Sequence, residues 1–375
     1  MTVLLALALA LAADPKAGSQ TATPKAAQIE KLTLDGKADD AIEQGRPAVA
    51  AHPDDLDLRL ALARALAAKA RHVKRQVNVP VSQQDVDKGQ VAVPAADLAS
   101  GPSRVEYDSG PFEEAMLHLD YAIKRAPKRQ DLRIFQCFLL TDSGRIDRAK
   151  AAITSALAAL PKSPGLAATM AAYGAERAKR DDPAGGAQLL APVAEAFPKE
   201  ASVLVDYGNV LTRLGKKAES YAAFDRAIAL APQEVRYLRT KAVSAMLLRD
   251  YRRAQNGFNA AFQQGRGVAD QFASYVAAYG ADPKLAAEPM RKLGAPGPAT
   301  DPMVADYANG FVRAAKGGPA SADAMTLARK LVGAGQHVFA IPVLDRALHA
   351  EPNNAEAKAL LTTAYTALGC AALAP

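Results

Sequence analysis

The chain has 375 residues, a net charge of +7 and, by composition, 50% hydrophobic but only 6% aromatic residues with no Trp. Ala alone accounts for 85 of the 375, which favours many thin, closely packed helices over a large core built on aromatics. A charged fraction of 23% excludes wholesale disorder, and no stretch reaches the roughly 18 apolar residues of a membrane-spanning helix. The positive charges are scattered. The clusters at Lys124, Arg125, Lys128 and Arg129 and at Arg249, Arg252 and Arg253 carry no stacking platform, so nucleic acid is not expected as a partner. Two distant cysteines, Cys137 and Cys370, exclude a disulfide framework and a structural zinc site.

From the first residue, MTVLLALALALAA is a short apolar run ending in small residues. It resembles the core and cleavage site of an export signal, so residues 1–13 are expected to be a signal peptide and the protein periplasmic or secreted. A non-cleaved helical start and a cytoplasmic location are the alternative, because no Lys or Arg precedes the run.

A frame of 18 residues then recurs at 36–53, 110–127, 144–161, 215–232 and 335–352, each opening on Gly and closing on Pro. Its thirteenth place is always Ala (Ala48, Ala122, Ala156, Ala227, Ala347). Its sixth is small (Ala41, Ala115, Ala149, Ser220, Ala340), and its tenth is large in four copies (Leu119, Ile153, Phe224, Leu344) with Gly45 the exception. A longer period of 34 residues separates Pro127 from Pro161 and Pro198 from Pro232. This pattern describes helical hairpins: Gly closes a turn, small residues let backbones approach, large ones fill the gap, and Pro stops the second helix. Units of this kind cannot bury their faces alone and stack.

The unit at 201–232, with Leu204, Tyr207, Gly208, Leu211, Ser220, Phe224, Ala227 and Pro232, resembles the tetratricopeptide-repeat (TPR) family. The resemblance implies an all-α, right-handed superhelical solenoid of antiparallel helix pairs. The expected organisation is an array of about six repeats over 22–266, a degenerate repeat plus an extra helix over 267–320, and a repeat with a capping helix over 321–369. In the degenerate region, Pro289 is expected to break the second helix.

The array is interrupted at 70–109. The first helix of the second repeat is expected to run on to about His72 or Lys74. Its periodicity then changes to alternating, with two similar pentads, Gln76 to Pro80 and Gln90 to Pro94. The segment is expected to be an extended or β-hairpin-like arm, added to the array as a second partner contact.

No catalytic motif or metal-ligand spacing involves the five histidines, and there is no phosphate loop or dinucleotide fingerprint. No enzyme activity and no cofactor are therefore expected. The acidic pairs Asp39-Asp40, Asp54-Asp55 and Asp181-Asp182 fall at helix starts, where carboxylates cap and favour the helix dipole. Cys137 occupies a small-residue place and is expected to be buried. What remains is recognition. The resemblance implies that the second, fifth and ninth places of each first helix line a concave groove, which nominates Ile134, Phe138, Asn209, Arg236 and Arg239 as partner-binding residues, with Arg213 joining the basic stretch one turn beyond Asn209. One place of register shift would instead send Ile134 and Phe138 into the core. The expected role is a protein-interaction scaffold holding a peptide or amphipathic helix. If the chain is exported, it resembles TPR subunits of bacterial cell-envelope machines for secretion, pilus biogenesis, outer-membrane assembly or surface motility. The alternatives are a cytoplasmic adaptor or regulator, or an accessory subunit of an enzyme complex.

Overall fold

The computed structural model describes residues 24–78, 99–179, 182–296 and 301–375, so the apolar segment 1–13 and both pentad prolines, Pro80 and Pro94, lie outside the described residues. The chain divides into two compact units, Met1–Leu166 and Ala167–Pro375. Among the described residues it is a succession of eighteen α-helices with one two-stranded sheet.

In the first unit, α1 (Pro24–Leu34) and α2 (Ala38–Ala51) form a hairpin, followed by α3 (Leu56–Ala70) and, after the arm, α4 (Ser109–Arg125), α5 (Gln130–Asp142) and α6 (Ile146–Ala159). The second unit is built from α7 (Pro164–Lys179, entering it at Ala167), α8 (Pro183–Ala196), α9 (Ala201–Arg213), α10 (Lys217–Leu230), α11 (Val235–Leu247) and α12 (Tyr251–Gly265). It continues through α13 (Val268–Ala281), α14 (Pro283–Leu293), α15 (Pro302–Gly317), α16 (Ala322–Gly333), α17 (His337–Ala350) and α18 (Ala355–Ala367), and ends on a single 3-10 turn, Ala371–Leu373.

Physical necessity places the repeat residues. Gly36, Gly144, Gly215 and Gly335 take φ between 70° and 78°, a backbone that costs L side chains roughly 1–2 kcal/mol. Each turns a first helix into its second. The closing prolines stand two residues beyond the ends of α2, α4, α6, α10 and α17, where a missing N–H does no harm. The sixth-place residues Ala41, Ala115, Ala149, Ser220 and Ala340 are fully buried, as are Leu119, Ile153, Phe224 and Leu344 at the tenth. Ser220 survives there because its hydroxyl is bonded to Thr212 Oγ1 at 2.8 Å and donates to Gly208 O at 3.0 Å. Gly208 is needed for the approach of α9 to α10, since a Cβ there would sit 3.0 Å from the Phe224 ring.

Three expectations are corrected. Gly110 is not a turn residue: it lies in the first turn of α4, because the arm replaces the turn. Helix α3 stops at Ala70, short of His72, since Arg71 is already extended at φ −84° and ψ 118°. Pro289 does not break its helix. Pro283–Leu293 is continuous through it, and Pro283 at its first turn meets no backbone donor requirement.

The arm is a hairpin at its base. Strand β1 (Arg71–Asn78) pairs antiparallel with β2 (Ala99–Tyr107), Arg71 facing Tyr107 and Asn78 facing Ala99, with an irregularity between Arg75 and Val77. Asp108 N donates to Ala70 O at 2.9 Å, so the strands leave and re-enter the array side by side. Asp142, at the end of α5, fixes this base. Its side chain is 3% exposed, and its Oδ2 accepts from Arg71 Nε and from the Tyr107 hydroxyl, each at 2.9 Å. Burial and the neighbouring carboxylate hold the Tyr107 phenol above its ordinary range. Tyr107 also meets Phe112 of α4 edge-on, with ring centroids 5.4 Å apart.

In the second unit the last hairpin folds back. Helix α17 packs against α11 and α13 as well as α16 and α18. Asp345 of α17 accepts from the Tyr251 hydroxyl at 2.7 Å and pairs with Arg249 at 3.2 Å. Fully buried Tyr365 of α18 donates to Leu247 O at 2.9 Å. Arg249 takes the turn between α11 and α12 at φ 55°, where other hairpins use Gly, and its guanidinium is spent on this docking.

Candidate recognition cavity

A cavity of about 420 Å³ opens in the second unit. Three first helices build it: Ala175 and Lys179 from α7, Asp206, Asn209, Val210 and Arg213 from α9, and Arg239, Thr240, Val243 and Leu247 from α11. Spacings of three, four and seven residues put these on one face of each helix. Leu368 and Cys370, after α18, close one side. The size falls in the usual range of ligand and peptide pockets.

The polar groups differ in how far they are already committed. Arg239 makes a bidentate pair with Asp270 of α13, both bonds 2.7 Å, and the Asp270 side chain is 6% exposed. Arg213 Nη1 donates to Gly369 O at 3.0 Å and to Ala178 O at 3.4 Å. Asn209 and Asp206 have neither a hydrogen bond nor an ion pair among the described residues. Burial raises the Asp206 carboxyl above the ordinary carboxylate value, and the Lys179 charge offsets this only in part.

Of the six nominated residues, the cavity gathers Asn209, Arg213 and Arg239. Arg236 stands apart: it pairs with Glu234 at 2.9 Å and lies 4.9 Å from the Tyr237 ring. Ile134 and Phe138, in the first unit, are 2% and 4% exposed and display nothing to a partner. The physical reason is that α5 buries ten of its thirteen residues, Arg133 and Asp142 included, so no face is left open. Sequence reasoning missed Lys179, Asp206 and Thr240. The spacing of Asp206, Asn209 and Arg213 at three and four residues carried the signal, but the fifth-place rule pointed to Val205, which is buried.

The other chemistry-bearing groups are structural. Asp55 and Asp182 are N-caps, accepting from Leu58 N at 3.0 Å and Gly185 N at 2.8 Å. Cys137 is fully buried and its thiol is pushed up to about 12 by desolvation, which leaves it inert. Among the described residues no group of His, Cys, Asp or Glu is placed to hold a metal ion, and no helix is long and apolar enough to cross a membrane.

No family model and no curated protein match the chain. Solved structures similar to it include MamA AMB-1, at 23% identity over 42% of this chain and 85% of that one, TM-score 0.29. Another is PilW, a type IV pilus biogenesis factor, at 18% identity over 52% and 90%, TM-score 0.34. A third is the P58(IPK) TPR domain, at 15% identity over 93% and 89%, TM-score 0.27. The repeat type is carried by the chain's own hairpins, with their left-handed glycines and buried small residues in register.

Proposed function

We propose that this chain, an array of tetratricopeptide-type helical hairpins, is a non-catalytic scaffold that seats a peptide or partner helix against the first-helix faces of its second unit. The observation that supports this is the cavity between α7, α9 and α11, where, among the described residues, Asp206 and Asn209 make no hydrogen bond and Asp206 has only the charge of Lys179 nearby. An apolar floor of Val210, Val243 and Leu247 beside charges of both signs suits an amphipathic segment. The test is a photo-crosslinking residue at Asn209 in the native host, with the captured partner identified by mass spectrometry. Crosslinks to a defined segment of one protein are expected. Capture only from control positions outside the cavity refutes the site.

The hairpin arm at 70–109 is the second contact in this reading. Anchorage by Asp142 holds its base in a set direction, which a presented element requires. The cell-envelope role rests on the apolar run at 1–13. Determining the mature N-terminus decides it: trimming near Ala12 or Ala13 supports export, and an intact run in a soluble cytoplasmic fraction supports the adaptor alternative.

A further inference from the structure

We propose that the segment Gly369 to Ala374 is a displaceable strap over the recognition cavity, competing with the partner for Arg213; this rests on the cavity being the recognition site. The juxtaposition is direct. Arg213 lines the cavity and at the same time donates to Gly369 O at 3.0 Å, while Leu368 and Cys370 form the cavity's closing wall. Further on, Arg249 donates to Leu373 O at 3.4 Å, and Leu373 lies against the Gly215 turn. The strap thus bridges the turn after α9 and the turn after α11 by accepting hydrogen bonds through its carbonyl oxygens. A bound peptide offers the same groups.

The strap and the helix before it differ in how firmly they are held. Helix α18 is fixed by Ala357, Leu361, Ala364 and Tyr365, all fully buried. Beyond it, the 3-10 turn Ala371–Leu373 contributes no buried residue. Cys370, 2% exposed, is the one fully inserted side chain of the segment, while Leu373 and Ala374 pack against the core only partly buried. Segments with few buried groups open at a small fraction of the global unfolding free energy. The junction is Gly369 at φ 64°, and a Cβ there would collide with Arg213 Nη1. Glycine is therefore favoured in the closed state by backbone conformation, and a Cβ would also push the end of the Arg213 side chain off Gly369.

Cys370 reports opening in the full chain, and Cys137 serves as its control. With Cys137→Ser leaving Cys370 as the only thiol, and Cys370→Ser leaving Cys137, labelling by a small disulfide reagent is followed under native conditions. Cys370 is expected to react at least about tenfold faster than Cys137 with the helical circular-dichroism signal unchanged. Arg213→Ala and, separately, Gly369→Ala are each expected to speed Cys370 labelling about tenfold more, as loss of a charge-assisted hydrogen bond implies, without moving Cys137. A fluorescent peptide with the sequence of residues 368–375, Cys replaced by Ser, is expected to bind the Gly369→Ala chain about tenfold tighter than the unaltered chain. Labelling of Cys370 no faster than Cys137, indifference to both substitutions, or equal peptide binding by the two chains overturns the strap. None of these measurements uses the partner, so their failure is distinct from failure of the cavity as a recognition site.

Discussion

Replacing Asp142 should release the arm and destabilise the first unit together. The carboxylate is 3% exposed and its Arg71 partner 16%. Two donors converge on one oxygen at 2.9 Å. Asp142→Ala strands a largely buried guanidinium, for which a loss of about 3–5 kcal/mol is expected. Tyr107→Phe removes one hydrogen bond to a charged acceptor and should cost about 1.5–3 kcal/mol, the lower end if Arg71 compensates. Arg71→Met with Asp142→Leu replaces the pair by apolar groups and should recover most of the loss. Urea unfolding followed by circular dichroism gives the stabilities. Limited proteolysis in the arm, compared across the four chains, reports whether its base has come loose. Cleavage should rise for Asp142→Ala and fall back in the double variant. A loss below about 0.5 kcal/mol for Asp142→Ala, with unchanged cleavage, would refute the anchoring.

Three further outcomes are expected. Ala227→Leu inserts a branched side chain at a fully buried helix crossing and should cost about 1–3 kcal/mol in urea unfolding; a neutral result would disprove the repeat register. Joining Ala70 to Ser109 through a short Gly-containing turn should keep the helical spectrum, since loop-closure entropy changes slowly with length, and should lose the native complex; retention of every partner would make the arm dispensable. Asp206 is raised by burial, so the folded chain holds its proton to higher pH than the unfolded chain does. Its contribution is therefore neutral below the ordinary carboxylate pKa of about 3.9 and becomes a penalty as pH rises through the folded value. Asp206→Asn should raise stability at pH 7 and leave it unchanged at about pH 3, while weakening partner capture; a destabilised Asp206→Asn chain at neutral pH would contradict the burial argument.

The repeat frame was legible because its constraints are local. A left-handed turn needs Gly at Gly144 or Gly215, a helix crossing needs Ala at Ala156 or Ala227, and neither depends on distant residues. The alternating period after Arg71 likewise announced extended chain. Its pairing did not, because the partner of Arg71 is Tyr107, across a segment whose length says nothing about register. The groove was legible in part. Asn209, Arg213 and Arg239, nominated along first helices, do line one cavity, but their availability is set by residues far off in sequence. Arg239 is neutralised by Asp270 and Arg213 is held by Gly369. Ile134 and Phe138 failed for the converse reason: periodicity identifies the faces of a helix, and α5 has every face covered.

The departures from the repeat spare its packed places. The arm grows from the turn of the second hairpin, and the strap continues from the end of the last helix. Neither disturbs the sixth, tenth or thirteenth places, where the small and large residues interlock. A two-stranded base suits such a turn because paired strands run about 5 Å apart, within the 8–10 Å that separates packed helices. The bond from Asp108 N to Ala70 O closes that junction as a Gly turn would. The second unit applies the same economy inward. Its own α17 lies against α11 and α13, with Asp345 meeting Arg249 and Tyr251. The chain therefore already holds one of its own helices against first-helix faces, by an acid paired with a basic turn residue. The cavity beside it, between α7, α9 and α11, presents the same kind of face, and among the described residues Asp206 and Asn209 make no hydrogen bond there.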